Sequence, residues 1–372
     1  MLLAAALLAP VVWSAPALTN SPPAWVDGLG LAPRTAGGPL AMVRGCPRGA
    51  YDVGGATLPL PRRLDGALKA RDGTVAVLAR GSCSRRRLVL ADLGADGRVL
   101  ATTPLGEDGT PRLTVGHGTG VAWISAQGNR YVLRAAVRRS GHLQRVTIAR
   151  RAGAPERGGG ISDAAVAFLP DGRLLVAFAD HDEVLAKIVD GPLVRLGPAA
   201  GLTRVRVAVS RSGRVVVAWG TEDAGGLRNV PASVYTAIRE PGHGWSMRRL
   251  DRAGWLGDPT GDPELAIGPD GRALLEFHDA RRVRLASTPP GKPFGRAHVL
   301  ANGGEPGGVA VRDDGLTLAS WVAGGRVRAK VGSGPAATLS WNVGFLPEPP
   351  RASFDAGGRP VVAWDRYAVT GG

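Results

Sequence analysis

From Ala164 the chain runs apolar through AVAFL, breaks at Pro170-Asp171-Gly172, runs apolar again through LLVAF and ends on the polar Asp180-His181-Asp182. Two apolar stretches on either side of a Pro-Asp-Gly turn predict a β-hairpin with a polar tip. The pattern recurs. Six residues beyond the turn glycine stands an aromatic ring, in five copies: Gly172 with Phe178, Gly213 with Trp219, Gly271 with Phe277, Gly315 with Trp321 and Gly358 with Trp364. Two weaker copies lie upstream, around Gly73 with TVAVLA and no aromatic, and around Gly118, whose Trp123 is one residue out of step. The spacings between successive glycines are 45, 54, 41, 58, 44 and 43 residues. Self-similarity at that period predicts a propeller built from four-stranded blades.

Further short alternating runs predict the outer strands, at 131–137, 143–149, 183–189, 232–239, 245–250, 282–286, 297–300, 325–331 and 337–341. The chain therefore reads as all-β, a seven-bladed β-propeller of four-stranded antiparallel blades over residues 39–372, with 18–38 as a surface lead-in. Short strands at 39–44 and 56–61 have no turn-plus-aromatic hairpin before them, while the hairpin at 351–365 has no room for two more strands after it. The N-terminal strands are expected to join the C-terminal blade and so leave no free sheet edge. The recurring rings are placed to pack between neighbouring sheets, where they bury much area. After the first twenty residues no long stretch has helical periodicity.

Residues 1–17 read as a signal peptide: the apolar LLAAALLAPVVW is too short to span a bilayer, and Ala15-Pro16-Ala17 offers small residues for cleavage. Export to the extracellular space or the cell envelope is expected. The 55 glycines and 29 prolines suit many tight turns. Cys46 and Cys83 are the only cysteines. In an exported chain they form one disulfide or stay as two free thiols, and spacing alone leaves both open. The net charge of +15 is carried almost wholly by arginine. Arg85-Arg86-Arg87 and Arg150-Arg151 are among the densest runs, the rest scatter over many strands, and no aromatic interleaves them as a stacking platform for nucleic acid would require.

On its blade motifs the chain resembles the β-propeller families of secreted bacterial proteins, with sialidase-like and WD40-like repeat proteins as relatives in architecture. Ser353-Phe354-Asp355-Ala356-Gly357 is similar to the start of the sialidase Asp-box, Ser-x-Asp-x-Gly-x-Thr-Trp, but Arg359 and Pro360 stand where that motif has Thr and Trp. The resemblance implies the fold and not sialidase chemistry.

In a propeller the tips of the inner hairpins lie on one face, and the loops leading into the first strand and out of the second lie on the other. The ligand-binding candidates on that second face are Asp163, Asp180, His181, Asp182, Glu222, Asp223, Asp262, His278 and Asp279, with Asp258, Glu264, Glu305, Glu348 and Asp365 at the same level. Converging carboxylates and two imidazoles suit a divalent cation such as calcium. Two carboxyls in unequal environments could instead act as acid and base on a glycosidic bond. Ordinary solvated turn chemistry would give the same residues. There is no Gly-x-Ser-x-Gly elbow, His-Glu-x-x-His, P-loop, Cys-x-x-Cys or EF-hand loop. The expected function is binding of a protein or glycan by a monomer through an acidic mouth, with an extracellular glycoside hydrolase or polysaccharide lyase as the alternative.

Overall fold

The computed structural model describes residues 26–32, 40–45, 50–53, 56–59, 63–70, 74–82, 85–93, 99–107, 110–153, 160–200, 203–221, 233–252, 263–279, 282–340, 349–355 and 357–364. Among them every regular element is a strand, and no helix is long and apolar enough to cross a membrane. The signal-peptide reading of residues 1–17 and both cysteines, Cys46 and Cys83, lie outside the described residues.

Eight antiparallel sheets follow one another along the chain. The first holds β1 (Val26–Ala32), β2 (Leu40–Gly45), β3 (Ala50–Val53) and β4 (Ala56–Pro59). The second holds β5 (Arg63–Ala70), β6 (Thr74–Ser82), β7 (Arg85–Leu93) and β8 (Val99–Glu107), and the third β9 (Thr110–Val115), β10 (Thr119–Gln127), β11 (Arg130–Arg139) and β12 (His142–Ala152). The fourth is β13 (Ile161–Phe168), β14 (Leu174–Asp180), β15 (Glu183–Ile188) and β16 (Leu193–Pro198). The fifth is β17 (Arg204–Val209), β18 (Val215–Thr221), β19 (Ser233–Arg239) and β20 (Trp245–Arg252). The sixth is β21 (Glu264–Ile267), β22 (Ala273–Asp279), β23 (Arg282–Thr288) and β24 (His298–Asn302). The seventh is β25 (Glu305–Val311), β26 (Thr317–Ala323), β27 (Arg326–Val331) and β28 (Ala336–Thr338), and the last is the hairpin of β29 (Arg351–Phe354) and β30 (Pro360–Ala363).

The first strands touch in the order β1, β5, β9, β13, β17, β21, β25, β29, and β29 touches β1. This closed succession around a common centre makes the chain an all-β propeller, and it revises two expectations. Val26–Ala32, placed in the lead-in by its Gly- and Pro-rich surroundings, is a strand paired with Leu40–Gly45. The N-terminal strands thereby form a sheet of their own, so the ring counts eight sheets among the described residues instead of seven. No ladder joins β1–β4 to β29–β30; the ring closes by side-by-side contact of β1 with β29, not by a shared sheet.

The inner tips explain the glycine register. At Leu169–Arg173 the amide of Leu169 donates to the Arg173 carbonyl and that of Gly172 to the Leu169 carbonyl, and the same reciprocal pair occurs at Ser210–Arg214, Gly268–Arg272, Arg312–Leu316 and Asp355–Arg359. Such three-residue tips need a left-handed residue in third place. Glycine supplies it, with φ of 86° at Gly172 and 91° at Gly213.

The second strands are buried on both faces, as their unbroken apolar runs require, whereas β12 in the outermost position is mostly exposed. The aromatic rings pack on the preceding sheet: Phe178 on Leu133 and Ile148, Trp219 on Leu175 and Leu196, Phe277 on Val216 and Ala218, and Trp321 on Val283. Trp123 does the same against Leu88 and Leu90, although it is one residue early. Its whole hairpin is shifted with it: Val121 and Trp123 face the second sheet, Ala122 and Ile124 the fourth. Interleaved burial of this kind is the main stabilising contribution.

Candidate functional site

The first strands line the centre of the ring, and each of five contributes one charged side chain to a chain of contacts. Arg112 of β9 donates to Asp163 of β13 at 2.8 Å, and Arg206 of β17 lies 3.6 Å from Asp163 and 3.5 Å from Glu264 of β21. Arg351 of β29 donates to Glu264 at 2.7 Å. The Asp163 side chain is 2% exposed and also accepts the Val205 amide at 3.0 Å, so its orientation is fixed by two neighbouring sheets. Arg112 and Arg351 keep roughly three-tenths of their surface open to solvent, at 31% and 27%.

The seventh sheet puts no side chain into this chain of contacts. Its first strand carries Gly307-Gly308 there, and a Cβ on Gly308 would lie 2.4 Å from the amide nitrogen of Ala352. The close approach of β25 and β29 that these glycines allow lets Arg351 reach past the seventh sheet to Glu264.

Glu276 of β22 faces Glu264 directly across the ladder. It is fully buried, and neither carboxyl oxygen completes a hydrogen bond with the protein. Burial pushes its carboxyl well above the usual carboxylate range, and the negative charge of Glu264 pushes the same way, while the Gly307 amide offsets part of the effect. Of the two carboxyls, Glu264 is ion-paired to arginine and Glu276 is biased by burial toward its protonated form.

At the ends of the same strands, Asp180 is buried and bound by Arg151 at 2.7 Å; burial nevertheless raises its carboxyl above the ordinary value, outweighing the pull of the guanidinium. His181 follows in a left-handed conformation, φ 59°, its amide bonded to the Gly160 carbonyl at 3.0 Å, and both His181 and Asp182 are exposed. Two sheets further round, His278 is buried and Asp279 takes a 2.6 Å contact from Arg284. The structure thus places Asp163, Asp180, His181 and Asp182 on the fourth sheet, and His278 and Asp279 with Glu264 on the sixth. Arg206 of the fifth sheet spans the interval between Asp163 and Glu264. Glu222, Asp223, Asp258, Asp262, Glu348 and Asp365 lie outside the described residues.

The expected acidic mouth takes a different form among the described residues. Asp163, Asp180, Asp279 and Glu264 each face an arginine, which makes this a mixed-charge surface of fixed donors and acceptors. No three of His, Cys, Asp and Glu come together there as a metal site would need. The arginine partners of Asp163, Asp180 and Glu264 were not legible in the sequence because they come from other sheets, whereas Arg284 lies on the strand next to Asp279 in the same sheet. Glu276 did have a signal: the residue before the recurring aromatic is Ala122, Ala177, Ala218, Ser320 or Ala363 elsewhere, and a carboxyl only here.

No family model matches the chain, and no curated protein matches it. Solved structures similar in fold include a catalytically inactive virginiamycin B lyase from Staphylococcus aureus with quinupristin. It is 12% identical with a TM-score of 0.46 over 82% of this chain and 95% of that one. A streptogramin B lyase is 12% identical with a TM-score of 0.45 over 82% and 94%, and the polysaccharide lyase Uly1 is 8% identical with a TM-score of 0.44 over 75% and 84%.

Proposed function

We propose that the chain is an exported binding propeller that takes a glycan at the face where Asp163, Asp180, His181, Asp182, Glu264, His278 and Asp279 gather. The observation that carries this reading is the chain of contacts Arg112–Asp163–Arg206–Glu264–Arg351, which immobilises charged donors and acceptors at the centre of the ring. The partly exposed Glu264 and Asp279, held by arginine, and the open guanidinium surfaces of Arg112 and Arg351 present acceptors and donors to ligand hydroxyls without first having to be ordered, and charge-assisted hydrogen bonds are the strong ones.

A glycoside hydrolase or lyase is the second reading, favoured by the Glu264–Glu276 pair, one carboxyl paired to arginine and the other raised by burial, the unequal environments that acid–base cleavage uses. Binding fits better because Glu276 has no exposed surface with which to touch a substrate. The test is a glycan array followed by calorimetry on the hits. Binding lost on Asp279→Asn and His181→Ala without change in thermal midpoint supports the proposal. Turnover of any glycan by the unaltered protein moves the reading to an enzyme, and capture of a protein ligand with no glycan bound moves it to a protein receptor.

A further inference from the structure

Between Gly109 and Pro155 the chain has eight arginines and no aspartate or glutamate, so more than half of the +15 net charge falls on the third sheet. Three of the eight are neutralised by carboxylates of neighbouring sheets: Arg112 by Asp163, Arg138 by Asp92 and Arg151 by Asp180. The other five have no carboxylate partner among the described residues. Arg134 donates to the Ser125 hydroxyl, Arg139 to the Gly172 carbonyl and Arg145 to the Pro104 carbonyl at 2.6 Å, all neutral acceptors that leave the positive charge in place.

The strand geometry then gathers part of this excess on one side. In the β11–β12 ladder Arg145 stands opposite Ala136 and Arg150 opposite Val132, with the register shifting at Leu133/Arg134 so that Ile148 is the extra residue. Five positions apart, Arg145 and Arg150 would face opposite ways on a regular strand; the bulge at Ile148 returns Arg150 to the face of Arg145. Ile148 itself turns into the core beside Phe178. Arg134 and Thr147, paired with each other, lie on the same face between them. Arg145 and Arg150 are exposed on the outermost strand, roughly 13 Å apart along it at the usual rise per residue.

We infer that this outer edge of the third sheet, the exposed Arg145, Thr147 and Arg150 on the side turned toward the second sheet, is a docking surface for an anionic polysaccharide carrying carboxylate or sulfate groups. A flexible chain of spaced anions suits guanidinium groups set apart along a strand, each able to bind an oxyanion through two donors. Nucleic acid fits less well: among the described residues no exposed aromatic ring accompanies these arginines to stack a base. A membrane surface fits less well too, because among the described side chains of the adjoining outer strand β8 Leu100 is the one large apolar group strongly exposed, and surface insertion needs an apolar face.

The test is retention on polygalacturonate and on dextran sulfate, with neutral dextran, a single-stranded oligonucleotide and anionic phospholipid vesicles as the other arms. The expected result is binding to the two acidic polysaccharides that weakens steeply with salt. The double variant Arg145→Gln/Arg150→Gln should lose about tenfold in affinity with a shallower salt slope, and Arg145→Lys/Arg150→Lys should keep most of it. Arg173→Gln, whose arginine is exposed but bound to Asp171, should change nothing. Which acidic polysaccharide binds more tightly separates sulfate from carboxylate recognition. Equal retention of the double Gln variant, equal binding to neutral dextran, or tighter binding to the oligonucleotide or the vesicles would each overturn the inference. Asp279→Asn leaves this surface intact, so the outcome is independent of the site at the centre of the ring.

Discussion

Glu276 and Glu264 stand opposite each other across the β21–β22 ladder, one fully buried without a hydrogen-bond partner and the other bound by Arg351 at 2.7 Å. Directly paired residues of an antiparallel ladder project from the same face within about 5.5 Å between Cβ atoms. Burial raises the Glu276 carboxyl well above the ordinary range, and the nearness of the Glu264 carboxylate pushes the same way.

The pairing sets a pH dependence of known sign. Burial holds the Glu276 carboxyl well above the ordinary carboxylate range in the folded protein, whereas the unfolded chain titrates within that range, so between the two values unfolding releases a proton. The stability contributed by this group is complete below its unfolded value and declines as pH rises toward its folded one, by about 1.4 kcal/mol per pH unit. Glu276→Gln removes the titration and keeps the shape. Urea denaturation at pH 5 and pH 8 should show the unaltered protein losing stability between the two, and the variant losing less, with the variant the more stable at pH 8. A variant that is less stable at both values would mean that the carboxyl is held ionised by a partner.

A second prediction concerns the recurring aromatic. Trp219 is fully buried, stacks on Tyr235 with ring centroids 5.5 Å apart, and donates its indole N–H to the Pro198 carbonyl at 2.8 Å. It therefore joins the fourth sheet to the fifth by packing and by a hydrogen bond. Trp219→Ala should cost about 3–5 kcal/mol through the cavity and the lost contacts, and Trp219→Phe distinctly less. Trp364, at the same place in the last hairpin but only half-buried, should tolerate alanine with a smaller loss. Chemical denaturation of the three variants checks the order.

The hairpins were legible in the sequence because each inner tip needs a left-handed residue in one place, which left Gly172, Gly213, Gly271, Gly315 and Gly358 in constant register with an aromatic ring, buried in the first four. The first sheet escaped because β1 to β4 carry no such ring, and because closure by contact of β1 with β29 leaves no trace in periodicity. At the site, strand-end acids such as Asp163 and Asp279 stood out by position. Most of the arginines did not: Arg112 meets Asp163 across 51 residues and Arg351 meets Glu264 across 87, separations that only the ring brings together, while Arg284 meets Asp279 from the next strand.

The tip face offers the last prediction. Arg214 follows the turn glycine of the fifth sheet, yet its side chain is 1% exposed. It donates to the carbonyls of Gly271 and Pro289 at 2.7 Å each, to the Thr288 hydroxyl at 3.2 Å and to the Lys292 carbonyl, and its charge meets Glu240 at 2.9 Å. One guanidinium thus satisfies the tip of the sixth sheet and the turn at 289–292 from the fifth. Removing it strands several carbonyls and the Glu240 charge at once, whereas the exposed Arg173 binds only its own Asp171. Arg214→Met should cost about 3–5 kcal/mol, the range for breaking a buried charged network. Arg214→Lys should recover only part of it, since an ammonium cannot span the same acceptors. Thermal denaturation of the two variants beside Arg173→Met settles the matter: equal shifts for Arg214→Met and Arg173→Met would show that the sixth sheet holds its tip without the arginine.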